Sequence, residues 1–279
     1  MAAILALFSS ILWGTADFLA GNLTKRYKAI AVTGLSQAFG LVTGIVLVIA
    51  TGSYIAPNLS WNGYLLPAAG AGIAGFFGLV SFYSGLATGR MGVVSPISTL
   101  SAVIPLTFAF ISGERPTAIQ ILGMSIALFG AFCASGPDIV KGLPIKPLLF
   151  GLGAALGFGI ALALMAQGSK TSSLMTMTSM RVVSVSMCIL IALRFRTVGG
   201  FRRSDLLLLI LIGMTDFAAN LLLGVATTKG LISIAMVFGG LFPIVTSLLA
   251  FKFLNERLHS VQYLGIFFAV AGVSIISIG

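Results

Sequence analysis

The sequence predicts an all-α integral membrane protein whose ten transmembrane helices form two inverted five-helix repeats, residues 1–140 and 141–279. Three observations predict it: an apolar composition, ten continuous apolar stretches, and ordered matches between the two halves. Of 279 residues, 58% are hydrophobic and only 8% are charged, against roughly a quarter charged in an ordinary soluble domain. A water-facing surface of normal extent cannot be built from that stock, so lipid is the main solvent. A spanning helix needs about 20 apolar residues, because about 1.5 Å of rise per residue must cover about 30 Å of hydrocarbon.

The spans follow in order. Span 1, Ala2–Gly21, starts directly after Met1 without a basic segment and carries Asp17, so it reads as a retained helix rather than a cleaved leader. Span 2 is Ile30–Ala50. Span 3, Tyr64–Ala87, contains Gly70, Gly72, Gly75 and Gly78, small residues that let helix backbones approach closely. Span 4, Val93–Ile111, is interrupted by Pro96 and Pro105, and span 5, Thr117–Ser135, follows Pro116, expected as its first helical residue. Span 6, Pro147–Gln167, repeats the glycine pattern with Gly151, Gly153, Gly157 and Gly159. Span 7, Leu174–Leu193, holds Arg181, and span 8, Leu206–Thr227, holds Asp216 and Asn220. Span 9, Leu231–Leu254, is interrupted by Gly239, Gly240 and Pro243 at a level matching the prolines of span 4, and span 10 is Val261–Ile278. Continuous apolar runs exclude barrel strands, which would alternate. The longest links, Thr51–Gly63 and Gly136–Lys146, are too short for a soluble catalytic or nucleotide-binding module, which excludes a self-contained ATP-driven pump.

Charge orients the chain. The formal net charge is +10, and 12 Lys and Arg residues lie in links after odd-numbered spans (Arg90, Lys141 and Arg257 among them) against 3 after even-numbered ones. Positive charge is retained on the cytoplasmic side, so the odd links are expected there and both termini outside. Cations scattered between apolar spans speak for orientation rather than for a nucleic-acid partner. Cys133 and Cys188 are single thiols in separate spans, and six acids with one His give no metal-ligand spacing, so no metal, no cofactor and no catalytic residue is expected.

The halves match internally. Ser112-Gly113-Glu114-Arg115 corresponds to Leu254-Asn255-Glu256-Arg257 at an offset of 142, which also aligns Gly123 with Gly265 and Gly130 with Gly272. Gly85-Leu86-Ala87-Thr88 corresponds to Gly224-Val225-Ala226-Thr227, and Leu12-Trp13-Gly14 corresponds more weakly to Gly157-Phe158-Gly159. Five helices per half is an odd number, so equivalent residues enter from opposite sides of the membrane. That symmetry suits alternating access around a midplane site.

With Trp13-Gly14-Thr15-Ala16-Asp17-Phe18 in span 1 and the Gly-Glu-Arg and Asn-Glu-Arg blocks closing spans 4 and 9, the whole chain resembles the EamA group of the drug/metabolite transporter superfamily. The resemblance implies a central cavity lined mainly by spans 1, 3, 4, 6, 8 and 9, with spans 5 and 10 peripheral. It implies cytoplasmic termini, opposite to the charge bias. Similar proteins export amino acids, drugs or other metabolites, and some import sugars.

Ionisable groups inside lipid are costly and mark candidate sites. Asp216, with Asn220 at i+4 on the same face, offers a protonatable carboxyl beside an amide, or else a structural ion pair. Asp17 shares a face with Trp13 and stands opposite Leu162 in the repeat; its spacing to Lys25 resembles the membrane carboxylate of small multidrug resistance proteins, which couples a proton to a cationic drug. The alternative is an interfacial carboxylate answering Lys25 and Arg26. Arg181 either binds a substrate carboxylate with its planar fork or neutralises Asp216 or Asp17. Gln37, Tyr83, Ser98 and Gln167 offer hydrogen bonds to a solute, and Trp13 and Phe158 offer aromatic walls. Glu114 and Glu256 are expected to cap hairpins.

The expected function is secondary active transport of a small metabolite across the cytoplasmic membrane. Proton-coupled export of an amino acid or similar zwitterion is the leading reading, because Arg and Asp together would answer both of its charges. An uncoupled facilitator or channel, or a lipid or sugar carrier, is the alternative. The expected partners are a small-molecule substrate, membrane lipid and a proton gradient. Ten helices can enclose a cavity alone, so a monomer is expected.

Overall fold

The computed structural model describes residues 1–88, 91–136, 145–196, 199–254 and 258–279, excepting the side chains of 91, 92 and 254. Arg90, Lys141, the division between 140 and 141, and Asn255-Glu256-Arg257 lie outside the described residues. Among the described residues every regular element is a helix: α1 (Ala2–Thr24), α2 (Ala29–Thr51), α3 (Leu65–Leu86), α4 (Met91–Thr99), α5 (Val103–Ile111), α6 (Ala118–Ala134), α7 (Ile145–Phe195), α8 (Leu206–Lys229), α9 (Ile232–Gly239), α10 (Phe242–Leu254) and α11 (Ser260–Ile278). Short 3₁₀ turns occupy Leu100–Ala102 and Arg203–Asp205. Eight segments are long and apolar enough to cross a membrane, with α6 a shorter apolar helix beside them. Phe8, Ile49, Phe267 and Val270, each more than half exposed, belong to an outward apolar surface that only lipid would cover without cost.

Two spans are broken where the sequence interrupts them. The turn Leu100–Ala102 separates α4 from α5, and Gly240 and Leu241 separate α9 from α10. Pro96 and Pro105 flank the first break, and Gly239-Gly240 with Pro243 surround the second, as expected of residues that disrupt the i to i−4 ladder.

The stretch expected to link spans 6 and 7 is helical instead, apart from one residue. α7 runs for 51 residues, about 77 Å if straight, and Ser172 alone leaves helical geometry at φ −162° and ψ 114°. Its Oγ accepts the Met175 N–H at 3.2 Å, starting the second limb in the manner of an N-cap. A Cβ placed on Gly168 would lie 2.8 Å from the Thr176 side chain, although eight residues of unbroken helix would separate them by about 12 Å. The limbs 145–171 and 173–195 therefore run back along one another.

α6 starts one residue later than Pro116 allows for. Thr117 is the N-cap, its Oγ1 accepting from Gln120 N at 3.2 Å while Gln120 Oε1 accepts from Thr117 N at 3.0 Å. This reciprocal box satisfies two orphan donors at once, which Pro116 cannot do. α6 packs against α11 through Gly123 and Gly130 on one side and Gly265 and Gly272 on the other: a Cβ on Gly130 would strike the Ala269 backbone, and one on Gly265 the Ala134 backbone. The glycines that align the halves in sequence thus face each other in space, and α6 joins this pair to α4, α9 and α10.

Glu114, in the turn after α5, caps the start of α9. Its carboxylate accepts from Ile232 N at 2.5 Å, Ser233 N at 3.0 Å and Ser233 Oγ at 2.8 Å, where a helix N-terminus offers unpaired N–H groups and favours negative charge. At the opposite end, Tyr27 Oη donates to Asp205 at 2.6 Å, Arg26 pairs with Asp205 at 3.1 Å, and the Tyr27 and Phe201 rings lie 4.5 Å apart. Phe18 against Phe253, at 6.2 Å, brings Lys252 to this end as well, so Arg26 and Lys252, from two different odd links, lie at the same end among the described residues.

Candidate functional site

The site is built around the Asp216 carboxylate on α8. An ionised group there must be answered by other protein groups, because hydrocarbon offers none. Gly40 and Gly213 let α2 and α8 approach closely enough for this: a Cβ on Gly40 would lie 3.2 Å from both Arg181 Nε and Gly213 O. Arg181, on the second limb of α7 and 4% exposed, donates from Nη2 to Asp216 Oδ2 at 2.8 Å, and Gln37 Nε2 donates to the same oxygen at 3.0 Å. Trp13 Nε1 on α1 donates to Oδ1 at 3.1 Å, and Asn220 Nδ2 donates to Oδ1 at 3.2 Å and to the Asp216 carbonyl at 2.7 Å.

Four helices thus converge on one carboxylate. A buried ion pair repays the desolvation of its members only when their other hydrogen-bonding positions are filled, and here both carboxylate oxygens are doubly answered. Arg181 is therefore the partner of Asp216. Two buried atoms beside this cluster keep open capacity: Gln37 Oε1 and Arg181 Nε have no hydrogen-bond partner among the described residues.

Asp17 lies one helical turn beyond Trp13 and lines the same cavity. Tyr83, itself buried, is a neighbour of its carboxyl. Among the described residues no cation forms an ion pair with Asp17; Arg26 is held by Asp205 instead.

The cavity encloses about 70 Å³. Trp13, Asp17, Gln37, Phe158, Arg181, Asp216 and Asn220 line it, so seven of the sequence candidates meet there. Tyr83 backs Asp17 without lining the space. Ser98 lies elsewhere on α4, its Oγ donating to Ser95 O at 2.8 Å. Gln167 is at the α7 bend, donating to Trp61 O at 3.3 Å and accepting from Lys170 at 2.9 Å. The lining draws on spans 2 and 7 through Gln37 and Arg181, beyond the set that the family resemblance implies.

Ser101, Ser184 and Phe242 also line the cavity and were not among the sequence candidates. Each had a signal: Ser184 is one turn from Arg181, Ser101 lies between the two prolines of the first broken span, and Phe242 follows the glycine break of the second. Phe242 meets Trp13 edge to face at 6.3 Å. Trp13 and Phe158, and Asp17 and Leu162, which the sequence alignment of the halves pairs at one offset of 145, all line the cavity.

With this geometry in hand, comparison with known proteins is informative. The model of the EamA-like transporter family matches residues 1–136 and 145–278. No curated protein matches the chain. A solved crystal structure superposes with a TM-score of 0.79 at 17% identity, covering 99% of this chain and 96% of the other, a likeness of fold.

Proposed function

The chain belongs to the EamA-like transporter family of the drug/metabolite transporter superfamily, and from that premise we propose that it is a proton-coupled secondary transporter exporting an amino acid or similar zwitterion across the plasma membrane. The observation that carries the reading is the Asp17, Arg181 and Asp216 cavity, with groups of both signs contributed by both halves. A zwitterion would place its carboxylate against the open Arg181 Nε and its ammonium against Gln37 Oε1 and Asp17. Asp17, with no cation partner among the described residues, is the coupling carboxyl: loading it with a proton or with the substrate ammonium leaves the same net charge in the site, which makes the two alternatives exchangeable.

The finer architecture belongs to this proposal. Ten crossings result if the two limbs of α7 count separately and each broken span counts once, giving inverted halves at residues 1–140 and 141–279. The separate family matches and the repeat partners lining the cavity support that division. Small-molecule sites have volumes of roughly 300 to 1,000 Å³, so a cavity of about 70 Å³ holds water and not a metabolite. Solute enters when the halves rock apart, and the broken spans α4–α5 and α9–α10, which meet the cavity through Ser101 and Phe242, supply the bending points. The basic face lies in the cytoplasm and the protein acts as a monomer.

The test is purified protein in liposomes, assayed for uphill movement of a panel of amino acids and other metabolites under an imposed proton gradient. Accumulation of a zwitterion that stops when the gradient is collapsed supports the proposal. Downhill flux independent of pH assigns an uncoupled facilitator instead.

A further inference from the structure

A groove of about 700 Å³ runs between α2 and the second limb of α7, sharing no lining residue with the central cavity. On α2 it is floored by Ala31, Gly34 and Ala38, at spacings of three and four that keep them on one helical face. Their small size lets the second limb of α7 pack closely, Cys188 lying 3.3 Å from where a Gly34 Cβ would be, and this contact forms the bottom of the groove, above which the two helices diverge. The sides are apolar.

The mouth is basic. Arg26 and Lys28 line the same groove, and Lys28 also lines the adjoining cavity together with Lys146. Asp205 already holds Arg26 and Tyr27, so among the described residues lining the groove the exposed Lys28, at the N-cap of α2, is the cation left to meet an anion. The positive end of the α2 helix reinforces it.

The dimensions fit a lipid. From Lys28 to Ala38 is ten residues, about 15 Å of helix, which is half of a hydrocarbon core of about 30 Å. An acyl chain anchored at the mouth would end near the bilayer midplane. The basic face is the one that the charge bias assigns to the cytoplasmic leaflet, where anionic lipids attract Lys and Arg.

We propose that this groove binds one anionic phospholipid, its acyl chain lying between α2 and the second limb of α7 and its phosphate at Lys28. The test is native mass spectrometry of the purified full chain mixed with phosphatidylglycerol or phosphatidylcholine of the same acyl composition. The wild type is expected to retain phosphatidylglycerol about fivefold better, the worth of one basic side chain near an anionic headgroup. Lys28→Gln should bring the two lipids to parity and Lys28→Arg should restore the preference. Ala38→Leu, which fills the slot, should reduce retention of both. Equal retention of the two lipids by the wild type, or an undiminished preference in Lys28→Gln, overturns the proposal. Lys28 is exposed, so these variants decide the matter even where Ala38→Leu impairs folding.

Discussion

Arg181 Nη2 stands 2.8 Å from Asp216 Oδ2 between the second limb of α7 and α8, and both side chains are buried in the centre of the bundle. Trp13 and Gln37, from the other half of the chain, complete the carboxylate's hydrogen bonding. The pair is therefore a structural joint between the halves as well as the polar heart of the cavity.

Removing one member leaves the other charged and unanswered. Asp216→Ala is expected to destabilise the fold by about 3 to 5 kcal/mol, and Arg181→Met combined with Asp216→Ala to be more stable than Asp216→Ala alone. Unfolding curves in detergent for the single and double variants measure this coupling; strict additivity would deny it.

Asp17→Asn acts differently, because no cation depends on it. The variant should fold with the wild-type melting temperature yet lose at least about a hundredfold in proton-driven transport, the low end of what a positioned proton donor or acceptor contributes in enzymes. Its remaining flux should no longer vary with pH. Liposome assays across pH 5 to 8, roughly the range in which carriers are assayed and well above the usual Asp value of about 3.9, provide the check.

Glu114→Ala removes three hydrogen bonds from the start of α9. A loss of about 1 to 2 kcal/mol is expected, in the range of other helix caps, with faster amide hydrogen exchange confined to the first turn of α9. Glu114→Gln should retain part of the protection.

Glycines divide by what a methyl would meet. Gly130→Ala and Gly265→Ala drive a Cβ into the backbone of the facing helix and should each cost about 1 to 3 kcal/mol. At Gly75 the nearest atom is the Ala161 Cβ at 3.6 Å, so Gly75→Ala should fold normally while narrowing the cavity and slowing transport. Melting temperature and flux, measured together, separate the two classes.

A reporter fused after Gly279 fixes the orientation. Activity expected only outside the cytoplasm would follow from the charge bias; a cytoplasmic signal would favour the topology that the family resemblance implies.

Much of the architecture was legible because lipid leaves the chain few options. Apolar stretches of about 20 residues had to be helices, and prolines and paired glycines had to interrupt them, whereas Glu114, expected to cap its own hairpin, caps the distant α9 instead. The site was legible in part for the same reason: Asp17, Arg181 and Asp216 stand out against 58% hydrophobic residues. Other polar positions did not declare themselves. Ser98 and Gln167 look as suitable as Gln37, yet Ser98 bonds the carbonyl of its own helix and Gln167 bonds Trp61 and Lys170 away from the cavity, and a span gives no sign of which face its neighbours will cover.

By itself, then, the sequence determined a helical membrane protein with costly charges in its interior, because the price of exposing backbone or charge to lipid is local and large. Only the tertiary structure decided that Arg181 belongs to Asp216 rather than Asp17, that the chain turns back at Ser172, and that Phe242 and Ser184 face the cavity. Those outcomes depend on how helices distant in sequence are rotated and spaced, and that is set by the packing of small residues such as Gly40 against Arg181 and Gly213, which no single span contains.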